Sequence, residues 1–204
     1  MYTGIVQEQL AVKSVDKKDG LTSFSIGFPE YLLQGLETGA SVSVNGVCFT
    51  VTSINSDEIS FDAVRETLEL SNIKYLEAGT MVNIERSAKQ GAEVGGHVLS
   101  GHVVGTARVQ SVELSENNCR MTFSGDPSWL KYVFDKGFLA INGASLTVAA
   151  LDRQATNFSI NLIPETLKRT NFSLLKQDDE VNIEIESQTQ VIVDTVERVM
   201  AERY

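Results

Sequence analysis

The two histidines of the chain, His97 and His102, fall in one stretch, GGHVLSGHVVGTA at 95–107. An imidazole changes charge near neutral pH, so either ring could move a proton in a reaction; the alternative is one structural and one solvent-facing histidine. Positions 97 and 102 differ by an odd number, which in an extended strand sends the rings to opposite faces unless the glycines introduce a bulge. With no cluster of Asp or Glu to complete a ligand set, a metal site is not expected. Cys48, in SVNGVCFTV at 43–51, could be a nucleophile or an inert thiol buried between Val and Phe. Its one companion is Cys119, and two cysteines in 204 residues read as reduced thiols, not as a disulfide framework.

These residues sit in a duplicated unit. SVNGVCFTV at 43–51 matches AINGASLTV at 140–148, a shift of 97 from Asn45 to Asn142. The same shift lays TGIV at 3–6 on SGHV at 100–103, and AVKSV at 11–15 on RVQSV at 108–112. Further on, FDAVRETLELSNI at 61–73 matches INLIPETLKRTNF at 160–172, and VNIE occurs at 82–85 and 181–184, both with a shift of 99. Two residues were therefore added between Val148 and Ile160. Gly4 and Gly101, Cys48 and Ser145, Thr50 and Thr147, and the two ETL segments recur in register, which predicts two similar pockets. Glycine there would let backbone approach a flat ring closely. Where the halves differ, with Ile5 against His102 and Cys48 against Ser145, two copies of one ligand could be given different roles.

The elements that must position these residues are strands. Each half carries short alternating stretches rich in Val, Ile, Phe and Thr, such as EISFDAV, separated by Gly, Asn or Asp. About six strands per half, with no room for open edges, predict an all-β fold of two tandem six-stranded Greek-key β-barrels. PEYLLQGL at 29–36 and PSWLKYVF at 127–134 predict one short helix per barrel. The polar, Gly-rich SAKQGAEVGG at 87–96 reads as the linker, so the expected units are 1–96 and 97–186, followed by a helix over 187–204 in which Ile192, Val196, Val199 and Arg203 share one face. That helix has no counterpart after the first VNIE; its apolar stripe either packs on a copy of itself or folds onto its own barrel. A formal charge of −10 argues against nucleic acid or an anionic membrane as partner. No signal segment or membrane-length apolar run is apparent, which predicts a cytoplasmic protein.

MYTGIVQ, GLETGASVSVNGVCFTV, FDAVRETL, NIERSAK, GGHVLSGHVVGTA, INGASLTV, LIPETLKRTN, VNIEI and QTQ with VDTVERV resemble the α-chain type of bacterial riboflavin synthase over essentially the whole length. The resemblance implies a C-terminal helix that gathers three chains into a trimer, with active sites between the first barrel of one chain and the second barrel of a neighbour. It also implies the reaction, in which two molecules of 6,7-dimethyl-8-ribityllumazine exchange a four-carbon unit to give riboflavin and 5-amino-6-(D-ribitylamino)uracil, without metal or redox cofactor.

Carried over by position, it places Gly4, Ile5 and Val6 in the first barrel's pocket with Cys48, Phe49, Thr50, Asp62, Ala63, Val64, Arg65, Glu66 and Thr67. The second barrel's pocket would use Gly101, His102, Val103, Ser145, Leu146, Thr147, Asn161, Leu162, Ile163, Pro164, Glu165 and Thr166. Lys136 matches a lysine that the family sets against the neighbouring chain's ligand. His102, Cys48 and Ser145 are the candidates for proton transfer and polarisation, with His97 in support. Three positions depart from the family's pattern: Tyr2 stands for a usual Phe and needs a partner for its hydroxyl if buried; Asn142 stands for a frequent Asp; Glu186 stands for a common Asp. These departures are expected to bear on rate more than on fold. A non-catalytic lumazine protein, a fluorescent antenna, is the main alternative, but it resembles this family with one pocket eroded and the terminal helix lost. An FAD-binding reductase barrel would need a following Gly-rich βα unit that the chain lacks.

Overall fold

The computed structural model describes residues 1–202, so Arg203 of the expected apolar stripe lies outside the described residues. The first barrel is built from β1 (Glu8–Lys18), β2 (Leu21–Gly27), β3 (Ser41–Val44), β4 (Val47–Asn55), β5 (Glu58–Val64) and β6 (Met81–Arg86). It closes in the order β1-β2-β5-β4-β3-β6, all antiparallel. The second uses β7 (Gly105–Leu114), β8 (Cys119–Ser124), β9 (Phe138–Ile141), β10 (Ala144–Asp152), β11 (Asn157–Leu162) and β12 (Glu180–Ile185) in the equivalent order. In each, three hairpin-linked strands lie beside an earlier one, a Greek key, and closure leaves no free edge.

Alternation explains each core. Along β4, Val47, Phe49 and Val51 are buried while Thr50 and Thr52 face out. Phe24, Phe49 and Phe61 pack with centroids 5.1–6.1 Å apart in the first barrel, and Phe123 stacks on Phe158 at 5.3 Å in the second. The two added residues sit in one turn: β4 and β5 are joined by 56–57, β10 and β11 by 153–156.

The expected short helices form as α1 (Glu30–Leu33) and, later, α3 (Pro127–Leu130), whose Asp126 side chain accepts from the Ser128 N–H. Each barrel holds one more α-helix than expected, α2 (Arg65–Leu70) or α4 (Pro164–Arg169), beginning where β5 or β11 ends and followed by a short 3-10 turn at Asn72–Tyr75 or Asn171–Leu174. The ETL segments carry these helices, with Glu66 and Glu165 in the first turns and Pro164 opening α4. Helix α5 (Ser187–Ala201) follows β12 directly, and Glu186 caps it by accepting from the Gln188 and Thr189 N–H groups at 3.0 and 2.6 Å. It touches its own barrel through polar contacts, Lys131 with Glu197 at 2.6 Å and the Tyr132 hydroxyl with Asp194 at 2.6 Å. Five of its apolar residues, Val191, Ile192, Val196, Val199 and Met200, are exposed. No helix among the described residues is long and apolar enough to cross a membrane.

The barrels meet at a cage of six asparagines, three from each repeat. Asn45 and Asn142 adopt left-handed conformations before Gly46 and Gly143, as a two-residue Asn-Gly hairpin turn requires. The Asn45 Oδ1 accepts from the Asn83 N–H, and the Asn142 Oδ1 from the Asn182 N–H, both at 2.8 Å. Asn171 and Asn72 then cross over: the Asn171 N–H donates to Asn83 Oδ1 at 2.7 Å and the Asn72 N–H to Asn182 Oδ1 at 2.6 Å. Asn83 and Asn182 donate to the Asn142 and Asn45 carbonyls of the opposite barrel. Asn142 is therefore a junction residue, held between the Asn182 N–H and the Asn72 amide.

Candidate active site

Before β1 the chain leaves its own barrel. Gln7 still pairs with Ile84, but Tyr2–Val6 run across to the second barrel, where the Ser145 N–H donates to Gly4 O at 2.8 Å and Val6 is buried in the second core. Residues 97–104 make the reciprocal crossing: the Cys48 N–H donates to Gly101 O at 3.0 Å and Val103 packs on the first core. Where the segments pass, Tyr2 and Leu99, which are equivalent in the repeat, form an antiparallel bridge with N···O distances of 2.8 and 2.9 Å. The grouping expected from sequence is thus corrected. Gly4, Ile5 and Val6 belong with Ser145, and Gly101, His102 and Val103 with Cys48.

Two cavities result. One, of about 230 Å³, is lined by Val47, Cys48, Glu66, Thr67, Leu70, Ser71, Gly101, His102 and Val103. The other, of about 270 Å³, is lined by Gly4, Ile5, Val6, Ala144, Ser145, Leu146, Glu165, Thr166, Arg169 and Thr170. Glycine is required at both crossings: φ is +74° at Gly4 and +83° at Gly101, and a Cβ there would stand 2.5 Å from the Cβ of Ser145 or Cys48.

Alternation along the strands divides the other expected residues between the barrel interiors and the outer faces. Phe49, Ala63 and Leu162 point into the cores. Thr50, Val64, Thr147, Ile163 and Pro164 are exposed, Thr50 and Thr147 on the same outer faces of β4 and β10 as Cys48 and Ser145. Asp62 accepts from the Ser23 hydroxyl, Arg65 pairs with Asp19 at 2.9 Å, and Asn161 lies 3.5 Å from the Asn118 amide. Lys136 donates to Ala149 O in its own barrel.

The crossing brings a histidine into the lining of the Cys48 cavity and sets another behind the Ser145 hydroxyl. His102, exposed, faces the cavity of Cys48. His97, buried, places Nδ1 2.6 Å from Ser145 Oγ and stacks on Phe138 with centroids 5.3 Å apart. In the tautomer with hydrogen on Nε2, Nδ1 accepts a hydrogen bond from the serine hydroxyl. The supports differ as well: the buried Tyr2 hydroxyl donates to Cys48 Sγ at 3.1 Å, which is the partner its extra oxygen needs. Burial, and then the sulfur itself, hold that phenol far above its ordinary range, so it stays a donor.

Burial also holds the His97 imidazole below 6.5, against the pull of the Glu186 carboxylate. Between the folded value and 6.5 the unfolded chain binds this proton and the folded chain does not, so His97 removes stability as pH falls through that window. A heteronuclear NMR titration is expected to give His97 a midpoint below 6.5; a midpoint above it would mean the ring is not desolvated.

Sequence reasoning missed two carboxylates, Glu85 and Glu184, each the last residue of a VNIE segment. Both are 5% exposed, and each binds the start of a crossing segment. The signal was available, since a glutamate recurs in both repeats beside residues that alternate as a strand.

The lumazine binding domain family model matches residues 3–87 and again 100–186. A riboflavin synthase of Escherichia coli (strain K12) is 48% identical over 204 residues, covering 100% of this chain and 95% of the relative. A riboflavin synthase of Chlamydia pneumoniae is 41% identical over 201 residues, covering 98% of each. Among solved structures, LumP complexed with riboflavin superposes with a TM-score of 0.84 at 27% identity, covering 91% of this chain and 100% of that one. LumP complexed with 6,7-dimethyl-8-(1'-D-ribityl) lumazine gives 0.81 at 27% identity, covering 90% and 98%.

Proposed function

The chain belongs to the riboflavin synthase family, with two lumazine-binding domains, and from that premise we propose that it catalyses the dismutation of two 6,7-dimethyl-8-ribityllumazine molecules to riboflavin and 5-amino-6-(D-ribitylamino)uracil. The observation that carries the reading is the reciprocal crossing, which builds two equivalent cavities, one lined by Cys48 and His102 and the other by Ser145, with His97 hydrogen-bonded behind it. One lumazine must lose a proton from its C7-methyl group while the other accepts a nucleophile at C7, so two similar pockets with different proton-handling groups suit one substrate in two roles. Both carbon fragments come from the substrate itself. The protein's main contribution is to hold two flat reactants against each other, which can supply roughly 7–11 kcal/mol.

Each cavity is smaller than the roughly 300–1,000 Å³ of an ordinary ligand site. A second chain completing each pocket fits that size, and the uncovered stripe of α5 supports assembly of three copies, with Lys136 reaching a neighbour's ligand. The likeness to LumP supports a second reading, a protein that binds such a ligand without turning it over. Mixing the protein with the dimethyl-ribityllumazine decides between them. Riboflavin absorbance is expected to grow over many turnovers; a stable complex with no product would leave the binding protein.

A further inference from the structure

We propose that Glu85 and Glu184 are crossed positioning residues, each carried on one barrel and each shaping the ligand pocket of the other. Glu85 ends the VNIE segment of β6 in the first barrel, and its carboxylate accepts from Thr3 N–H at 2.7 Å, Thr3 Oγ1 at 2.8 Å and Gly4 N–H at 3.1 Å. Those residues begin the segment that lines the second barrel's cavity. Glu184, its equivalent in β12, accepts from Ser100 N–H and Oγ, both at 2.7 Å, and from Gly101 N–H at 3.1 Å. That segment lines the first barrel's cavity.

Neither carboxylate is in an ion pair among the described residues, so backbone and hydroxyl donors hold both charges. Burial pushes both groups up, against the hydrogen bonds that pull them down. A buried, unpaired charge is costly, and it is kept where three donors converge that nothing else would satisfy. The other ties of the crossing segments are the Tyr2–Leu99 bridge, one backbone bond to Ser145 or Cys48, one valine on the other core, the Val104 N–H on Ile183 O, and the Tyr2 and His97 side chains on Cys48 and Ser145; none of them satisfies the N–H groups that the two carboxylates hold. An amide cannot replace the carboxylate, because its NH₂ would meet a backbone N–H at one of the two oxygen positions.

The ligand half of this proposal rests on the lumazine reading; the mobility half does not. The test compares Glu85→Gln and Glu184→Gln by hydrogen exchange of peptides 1–7 and 98–104, by the number of riboflavin molecules bound per chain, and by riboflavin protection of Cys48 from iodoacetamide, read by peptide mass mapping. Glu85→Gln is expected to speed exchange in 1–7 alone by about tenfold and to remove one bound riboflavin while Cys48 stays protected at the parent's riboflavin concentration. Glu184→Gln is expected to loosen 98–104 alone and to raise the riboflavin needed to protect Cys48 by about tenfold. Equal loosening of both segments by either variant, or failure of the pocket in the mutated barrel itself, overturns the proposal. If a glutamine variant does not fold, Thr3→Val and Ser100→Ala, which each remove one bond of the clamp, must give the same crossed pattern. A parent that binds no riboflavin would sink the lumazine reading, while the exchange pattern would still decide the clamp.

Discussion

Gly101→Ala is expected to lower the rate of riboflavin formation by at least about a hundredfold while both barrels stay folded, because an ångström-scale displacement of positioning groups has that effect. At φ +83° an alanine carries about 1–2 kcal/mol of backbone strain. The contacts matter more. Its Cβ would stand 2.5 Å from Cys48 Cβ, 2.9 Å from Cys48 N and 3.0 Å from the Tyr2 ring, none of which is the free end of a flexible side chain. The segment must lift, which breaks the bond from the Cys48 N–H to Gly101 O and withdraws His102 and Val103 from the cavity. Residues 97–104 lie outside the barrel strands, so the strand ladders are kept and the cores lose only contacts at their margin, from Val103 and Val104. Gly35→Ala is the control: φ is +64°, nothing lies within 4 Å, and turnover should stay within about twofold. Steady-state assays with circular dichroism would separate the two effects. Parent-like turnover in Gly101→Ala would show that this segment does not shape the pocket.

The barrels were legible because their information is local and written twice. The shift from 97 to 99 falls between Val148 and Ile160, and the structure puts the two extra residues in the turn at 153–156, where a longer hairpin loop leaves the strand register intact. The identity of VNIE is explained by burial on both faces: Val82 and Ile84 fill the first core, while Asn83 and Glu85 face the crossing segment and the other barrel. Such a strand tolerates little change. Helices α2 and α4 were hidden because FDAVRET keeps the alternation of β5 up to the residue where the chain turns.

The exchange of the two pockets was not legible, and the reason is symmetry. A repeat shows that Gly4–Val6 and Gly101–Val103 are equivalent, but each could close its own barrel or its partner's with the same pattern of residues. The choice is made by tertiary contacts, namely Val6 in one core, Val103 on the other, and Tyr2 bridging to Leu99. The crossing segments are equivalent but not identical, since Tyr2 stands where the second repeat has Leu99. One pocket therefore gains a histidine behind Ser145 and the other a tyrosine behind Cys48.

Asn142→Leu is expected to cost about 3–8 kcal/mol, against the 5–15 kcal/mol that an ordinary domain has in hand. Two donors, the Asn182 N–H at 2.8 Å and the Asn72 amide at 3.1 Å, would be buried without an acceptor, at about 1–3 kcal/mol each. A leucine at φ +44° adds about 1–2 kcal/mol. Asn142→Gly isolates the first contribution, since glycine accepts the conformation freely, and Asn142→Asp should lose least because it keeps an oxygen for both donors. Urea unfolding of the three variants therefore has a required order, with Leu the least stable, Gly between and Asp nearest the parent. The cage joins the barrels, and the crossing segments run from one barrel to the other beside it. Loss of stability should then be accompanied by loss of turnover at temperatures where the strands remain folded. A glycine variant as stable as the parent would mean that the asparagines merely fill the junction, and that the barrels are held together by the crossing segments alone.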